Sequence, residues 1–302
     1  MPTERRGRLT VLLPLAATLT AMACFQAGAA VAKSLFATVG PLGAVTLRLG
    51  LGALMLLAVT RPWRAWPRPA PLRPLAALGV AMAGVIVAFY EALGHLPLGV
   101  AIALQFLGPL GVAVFGSRRP SHLVWALLAA AGVWALTGAG VSAKAVDLVG
   151  VGWALAAAVG WASYIIIGRR VSAAFGTSTA ALSVGIAALL VLPFGVAKAG
   201  ALLAVPHLIP AALLMALLST AVPFMLEFYA LPRLPARTFA TFTSLEPAFG
   251  VIFGLTLLNE RLSLAQIGGV AAVIAAAAGA AWSSAEPGAA EPDSDVADAP
   301  PT

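Results

Sequence analysis

Glu246 and Pro247 stand inside the stretch TSLEPAFGVIFG, residues 243–254, in a run that also holds Leu255, Leu257 and Leu258. An ionisable side chain near a bilayer centre costs roughly 2.5–3.5 kcal/mol on insertion scales, so each one needs a reason. For Glu246 one reason is binding of an ammonium group or a proton, because low dielectric favours the neutral form of a carboxylate. The other is a hydrogen-bonded strut between helices. Gln105 lies one turn before Pro109 on the same helix face. Its amide donates and accepts, which suits a zwitterionic ligand or an interhelical hydrogen bond. Glu227 is a further candidate for substrate or proton binding; with Arg233 and Arg237 just beyond it, a salt bridge at the membrane edge is its structural alternative. Tyr90 and Tyr229 are candidates for ligand contact, and near span ends they also suit an interfacial belt. Pro109 and Pro247 each remove a backbone N–H and free a carbonyl, as packing kinks or as elements that open and close a site. Arg48 and Glu91 lie toward the outer halves of their spans, where an ion pair would lower the cost of both. The expectation for them is a structural pair, with an outer gate as the alternative.

Other chemistry lacks its residues. His95, His122 and His207 sit scattered at span ends and form no HExxH or similar pattern, so no metal site is expected. Cys24 is the one cysteine and has no partner for a disulfide or a CxxC motif. The span interiors hold no Asp or His, and the chain has no P-loop. No catalytic residue and no cofactor are therefore expected. A polytopic membrane enzyme or a non-transporting membrane scaffold remains the alternative to transport.

The composition says what must hold these residues. The chain has 302 residues, 61% hydrophobic and 10% charged, with a mean hydropathy of +0.98. Soluble domains carry roughly 25% charged residues, so this chain is an all-α integral membrane protein, with lipid as its surroundings. Ten apolar windows of about 20 residues qualify as spans. They lie near 12–32, 41–60, 74–94, 98–116, 122–140, 148–168, 178–197, 208–230, 238–258 and 264–282. Residues 1–11 form a cytoplasmic N-terminus read as leading into an uncleaved first helix. Residues 283–302, with Glu286, Glu291, Asp293, Asp295 and Asp298, form a disordered acidic cytoplasmic tail. The net charge of +7 comes from arginines clustered between apolar runs, with no basic stripe, so nucleic acid is excluded as a partner. With the N-terminus inside, thirteen of the 18 Lys and Arg residues fall on cytoplasmic segments. Four fall outside (Lys33, Lys144, Lys198 and Arg261), and Arg48 lies within a span. That bias predicts cytoplasmic N- and C-termini in a bacterial inner membrane.

EALGHLPLGVAIALQFLGPLGVAVFG (91–116) resembles YALPRLPARTFATFTSLEPAFGVIFG (229–254) at an offset of 138. Leu96-Pro97 matches Leu234-Pro235, and Leu107, Pro109, Phe115 and Gly116 match Leu245, Pro247, Phe253 and Gly254. Five spans per repeat make the second copy enter from the opposite side. The fold expected is ten transmembrane helices as two inverted five-helix repeats, 12–140 and 148–282. Many secondary transporters share that plan, which exposes a midplane site to each side in turn. The Gly250/Gly254 GxxxG permits close helix approach, within the protomer or in a homodimer.

The segments LFATVGPLGAVTLRLGLGALMLL (35–57), RPWR (61–64), LPLGVAIALQFLGPLGVAVFGSRRPSHLVW (96–125), PFMLEFYALPRLPARTF (223–239) and SLEPAFGVIFGLTLLNERLSLAQIGG (244–269) carry a family resemblance. Over about residues 10–282 the chain resembles the EamA family of the drug/metabolite transporter superfamily, nearest its threonine/homoserine exporter branch. The resemblance implies a ten-helix inner-membrane exporter of small polar metabolites such as amino acids. The branch usually carries Glu where this chain has Gln105.

Overall fold

The computed structural model describes residues 2–64, 66, 70–115, 121–137, 147–234 and 236–283. The acidic tail lies outside them. Among the described residues the regular structure is helical, as a lipid environment demands: a helix satisfies its backbone N–H and C=O groups internally.

Helix α1 (Pro2–Thr60) runs through the first two expected spans and breaks at Gly40, where φ is 66° and ψ is 173°. Glycine takes that backbone conformation without a Cβ penalty, and Pro41 follows without an N–H to donate. The chain doubles back there. Gly28 and Gly52, equally far on either side of Gly40, meet the neighbouring residues Ser219 and Thr220.

The third span is α2 (Leu72–His95). The fourth is split into α3 (Leu98–Gln105) and α4 (Leu107–Phe115). Then come α5 (Ser121–Thr137), α6 (Leu148–Phe175) and α7 (Ser178–Gly200). The eighth span joins α8 (Ile209–Ala216) to α9 (Val222–Ala230) through a π-helical turn, Leu217–Ala221. The ninth is split into α10 (Ala236–Thr243) and α11 (Glu246–Leu257), and α12 (Leu264–Ser283) is the tenth. Eight described stretches are long and apolar enough to cross a membrane, and the first of them, 53 residues long, holds both limbs of α1. With the shorter apolar helix His122–Thr137, they trace the ten expected spans.

Packing follows the repeat. The third span of the first half, α2, packs on α6 of the second half; the third span of the second half, α8, the π turn and α9, packs on α1 of the first. Likewise α4 packs on α6 and α11 on α1. The two breaks match as well: Phe106 separates α3 from α4, and Ser244, 138 residues on, lies between α10 and α11. Each break precedes its proline by three residues. Pro109 and Pro247 cannot donate to the carbonyls of Gln105 and Thr243, so the helical ladder is interrupted there in both copies. Where α5 crosses α12 the backbones touch. A Cβ on Gly132 would lie 2.9 Å from the Gly269 carbonyl oxygen, and one on Gly269 2.8 Å from that of Gly132. Small residues at such crossings bring whole helices into van der Waals contact, which replaces the hydrophobic drive absent in lipid.

Candidate functional site

The break in the ninth span positions the central carboxylate. Ser244 donates back to the Thr241 carbonyl at 2.6 Å, and the chain restarts as α11 with Glu246 and Pro247 in its first turn. Glu246 thus stands in the first turn of α11. Its Oε1 accepts a 2.9 Å hydrogen bond from Nε2 of Gln26, on the first limb of α1. Gln26 is buried, and among the described residues its own Oε1 has no partner.

Other polar groups converge on this pair. Glu227, from α9, lies within electrostatic reach of Glu246, and Tyr164, from α6, within reach of Glu227. Ser183 of α7 lies beside Tyr164. Helix α3 packs on α11, with Gly99 against Val251 and Ile102 against Gly250. The residue numbers run in opposite directions along this contact, which carries Gln105 toward the level of Glu246. Gln105 is buried, and among the described residues its Oε1 also lacks a partner. Gln26 and Glu246 thus join the two halves, inside a bundle whose core is mainly Ala, Leu and Val with some Ile, Met and Phe.

Arg48 departs from expectation. Among the described residues no ion pair joins it to Glu91. Its Nη2 donates to the Ser219 carbonyl at 2.7 Å, Nη1 to Tyr90 Oη at 3.4 Å and Nε to Thr220 Oγ1 at 3.4 Å. The guanidinium carbon lies 5.4 Å from the centre of the Tyr90 ring. The physical reason is rotation: successive helix residues point about 100° apart, so the face that turns Tyr90 inward turns Glu91 aside. The π turn Leu217–Ala221 contributes the Ser219 carbonyl, and such turns recur at functional sites.

Tyr229 also lies elsewhere. It is exposed and stacks with Arg233, whose guanidinium carbon sits 4.2 Å from its ring centre. Arg233 Nη1 donates to the Tyr229 carbonyl at 2.8 Å, so among the described residues Glu227 has no salt bridge to Arg233. The side chain of Arg237 lies outside the described residues. The GxxxG glycines are used inside the protomer: Gly250 faces Ile102 and Gly99, and Gly254 faces Glu260 and Leu98.

Sequence reasoning missed Gln26, although it is the lone amide of the first span. It also missed a network at the membrane face that carries Lys33. Lys33 Nζ pairs with Glu260 Oε1 at 2.8 Å and donates to the Leu96 carbonyl at 2.7 Å. Glu260 Oε2 accepts from the Leu98 N–H at 2.8 Å, capping α3. Gly254 leaves room for it: a Cβ there would lie 2.5 Å from that oxygen. One carboxylate thus ties the first span, the α2–α3 turn and the α11–α12 connection.

On a connection beyond the spans, His95 Nδ1 lies 2.7 Å from Asp147 Oδ2, while Asp147 Oδ1 accepts from the Val149 N–H at 2.9 Å and caps α6. The His95 hydrogen bond, then that N–H, hold the Asp147 carboxyl below the usual carboxylate range. A depressed folded-state pKa stabilises the fold above the unfolded pKa and loses that effect as pH falls through the folded value. Asp147→Ala is therefore expected to melt lower than wild type at neutral pH. The gap should close in acid below the usual carboxylate range, as read by thermal unfolding across pH.

Ten apolar crossings, a duplicated and twice-broken helix pattern, and buried polar contacts between the halves define a polytopic membrane carrier. The chain belongs to the EamA-like transporter family. That family's profile matches residues 148–282. The chain is 44% identical over 279 residues to the threonine/homoserine exporter RhtA of Escherichia coli (strain K12), covering 92% of this chain and 94% of that one. It is 43% identical over the same shares to the RhtA of Salmonella typhimurium (strain LT2). A solved crystal structure, 20% identical, has the same fold at a TM-score of 0.59, covering 89% of this chain and 97% of its own. The protein is an integral multi-pass membrane transporter of small metabolites.

Proposed function

We propose that this chain exports small neutral amino acids of the threonine and homoserine kind, by alternating access between two five-helix halves, residues 12–140 and 148–282. Its N- and C-termini face the cytoplasm, as the thirteen-to-four bias of Lys and Arg supports. The observation that carries the proposal is the hydrogen bond between Gln26 and Glu246: it joins the two halves beside a buried amide oxygen of Gln26 that has no partner among the described residues. Such acceptors suit the donors of an ammonium group, and the relatives named above support the substrate class. Glu246, with Glu227 nearby, is the proton carrier in this reading, so that outward movement of the amino acid is exchanged for inward movement of a proton. The Lys33–Glu260 network seals one face and separates when that face opens.

The test is uptake of labelled threonine and homoserine into inverted vesicles, with and without an imposed proton gradient. Gradient-stimulated uptake of either is the expected result; no uptake of either would refute the reading. The prolines bear on the gating. Pro109→Ala and Pro247→Ala supply an N–H for the Gln105 and Thr243 carbonyls and straighten the broken spans. Each is expected to slow turnover severalfold while leaving substrate binding within about twofold, measured as transport rate against equilibrium binding in the same preparation.

A further inference from the structure

We propose that Arg48 binds the substrate carboxylate, so that the transport site reads a zwitterion: the carboxylate on Arg48 and the ammonium on the Glu246–Gln26 pair. This inference rests on the amino-acid reading above and adds to it a residue for the second charge.

Arg48 is 8% exposed and belongs to no ion pair among the described residues. An uncompensated cation in a membrane interior is expensive, and its ordinary remedy is an anion. The partners in place fall short of that. Arginine has five N–H donors in a planar fork that matches a carboxylate. One is committed at 2.7 Å to the Ser219 carbonyl, and two more reach Tyr90 and Thr220 at 3.4 Å, near the limit for a hydrogen bond. The Tyr90 ring, 5.4 Å away, gives partial compensation only. The carbonyl of the π turn holds the fork in place and leaves donors for a ligand.

The opposite charge stands close by. Glu246 lies within electrostatic reach of Arg48, yet among the described residues no ion pair joins the two, and Oε1 of Glu246 accepts from Gln26. A fixed anion and a fixed cation held apart in one low-dielectric cluster form a template for a molecule carrying both charges. The buried oxygens complete it. Glu246 and the Oε1 of Gln26, unpartnered among the described residues, offer acceptors for the N–H donors of a primary ammonium, and Gln105, whose Oε1 is likewise unpartnered among them, lies on the helix packed against α11. An amine without a carboxylate would leave Arg48 uncompensated, and a carboxylic acid without an amine would leave the acceptors unsatisfied.

The experiment measures equilibrium binding of L-threonine, L-threonine methyl ester and L-threoninol to the full-length protein in lipid nanodiscs. The ester and the alcohol keep the ammonium and lose the carboxylate charge. Wild type is expected to bind L-threonine at least about tenfold tighter than either analogue, the discrimination of a charged hydrogen bond. In Arg48→Gln, L-threonine should weaken to the level of the analogues, and Arg48→Lys should keep part of the preference. Equal binding of all three by wild type would overturn the role of Arg48 while leaving amino-acid transport standing. So would an unchanged preference in Arg48→Gln. Absence of L-threonine binding to wild type, with no threonine transport, would overturn both. Should Arg48→Gln fail to fold, the wild-type ratios decide alone.

Discussion

Glu246→Gln is expected to lower transport of threonine and homoserine by about ten- to a hundredfold and to abolish its response to a proton gradient. The magnitude follows from a charge-assisted hydrogen bond, worth about 1.5–3 kcal/mol, lost to the substrate ammonium. The loss of gradient response follows from chemistry, because an amide at this position neither releases nor takes up a proton. The substitution is close to isosteric. It keeps a polar group within reach of Gln26 Nε2, whose bond to Glu246 is 2.9 Å, so the helices it joins should stay in place. Thermal unfolding of the purified variant checks that. Glu246→Asp keeps the proton chemistry but shortens the reach, and should retain gradient dependence at a reduced rate. If Glu246→Gln transports at the wild-type rate with the wild-type response to the gradient, Glu246 is a strut and the coupling proposal falls.

Gly108→Ala is expected to have the largest effect on stability. Gly108 is the repeat mate of Glu246. A Cβ on Gly108 would lie 2.2 Å from the carbonyl oxygen of Ala158 and 3.0 Å from its carbonyl carbon. Those are backbone atoms of α6, and no rotamer moves them away. Overpacking a tight core costs about 1–3 kcal/mol when side chains can shift, and a clash with fixed backbone belongs at the top of that range or beyond it. The check is the thermal midpoint and monodisperse yield of Gly108→Ala beside Gly111→Ala on the same helix. The nearest neighbour of a Cβ at Gly111 would be Phe115 at 3.9 Å, so that variant should behave as wild type. A Gly108→Ala protein as stable as the Gly111→Ala control would refute the packing account.

The same contact explains why the repeats differ. The sequence alone shows the proline of the element in both copies and the carboxylate in one. In the first repeat α4 lies so close to α6 that residue 108 has no room for any side chain, and the position serves packing. In the second, α11 packs on α1, and residue 246 opens toward Gln26. A duplicated helix break was thus put to two uses.

How much was legible divides along a physical line. The ten crossings, the offset of 138 and the breaks beside Pro109 and Pro247 are properties of contiguous chain. Lipid forces each apolar stretch of about 20 residues into a helix, and proline interrupts the ladder whatever surrounds it. Glu246 was conspicuous for the same reason, as an isolated charge in such a stretch. The pairings were not legible. Arg48 and Glu91 looked like partners by depth, yet Arg48 meets Tyr90, Ser219 and Thr220. Tyr90 and Tyr229 looked alike as aromatics near span ends, yet one is fully buried beside Arg48 and the other is exposed beside Arg233. Gln26 meets Glu246 across 220 residues, and Lys33 meets Glu260 across 227. Hydropathy sets how deep a residue lies, but the rotation of its helix sets which way it faces, and a change of one residue turns that direction by about 100°. Rotation is decided by the fit of small residues such as Gly28, Gly99 and Gly108 against neighbours that are distant in sequence. That fit exists only once all the spans are assembled.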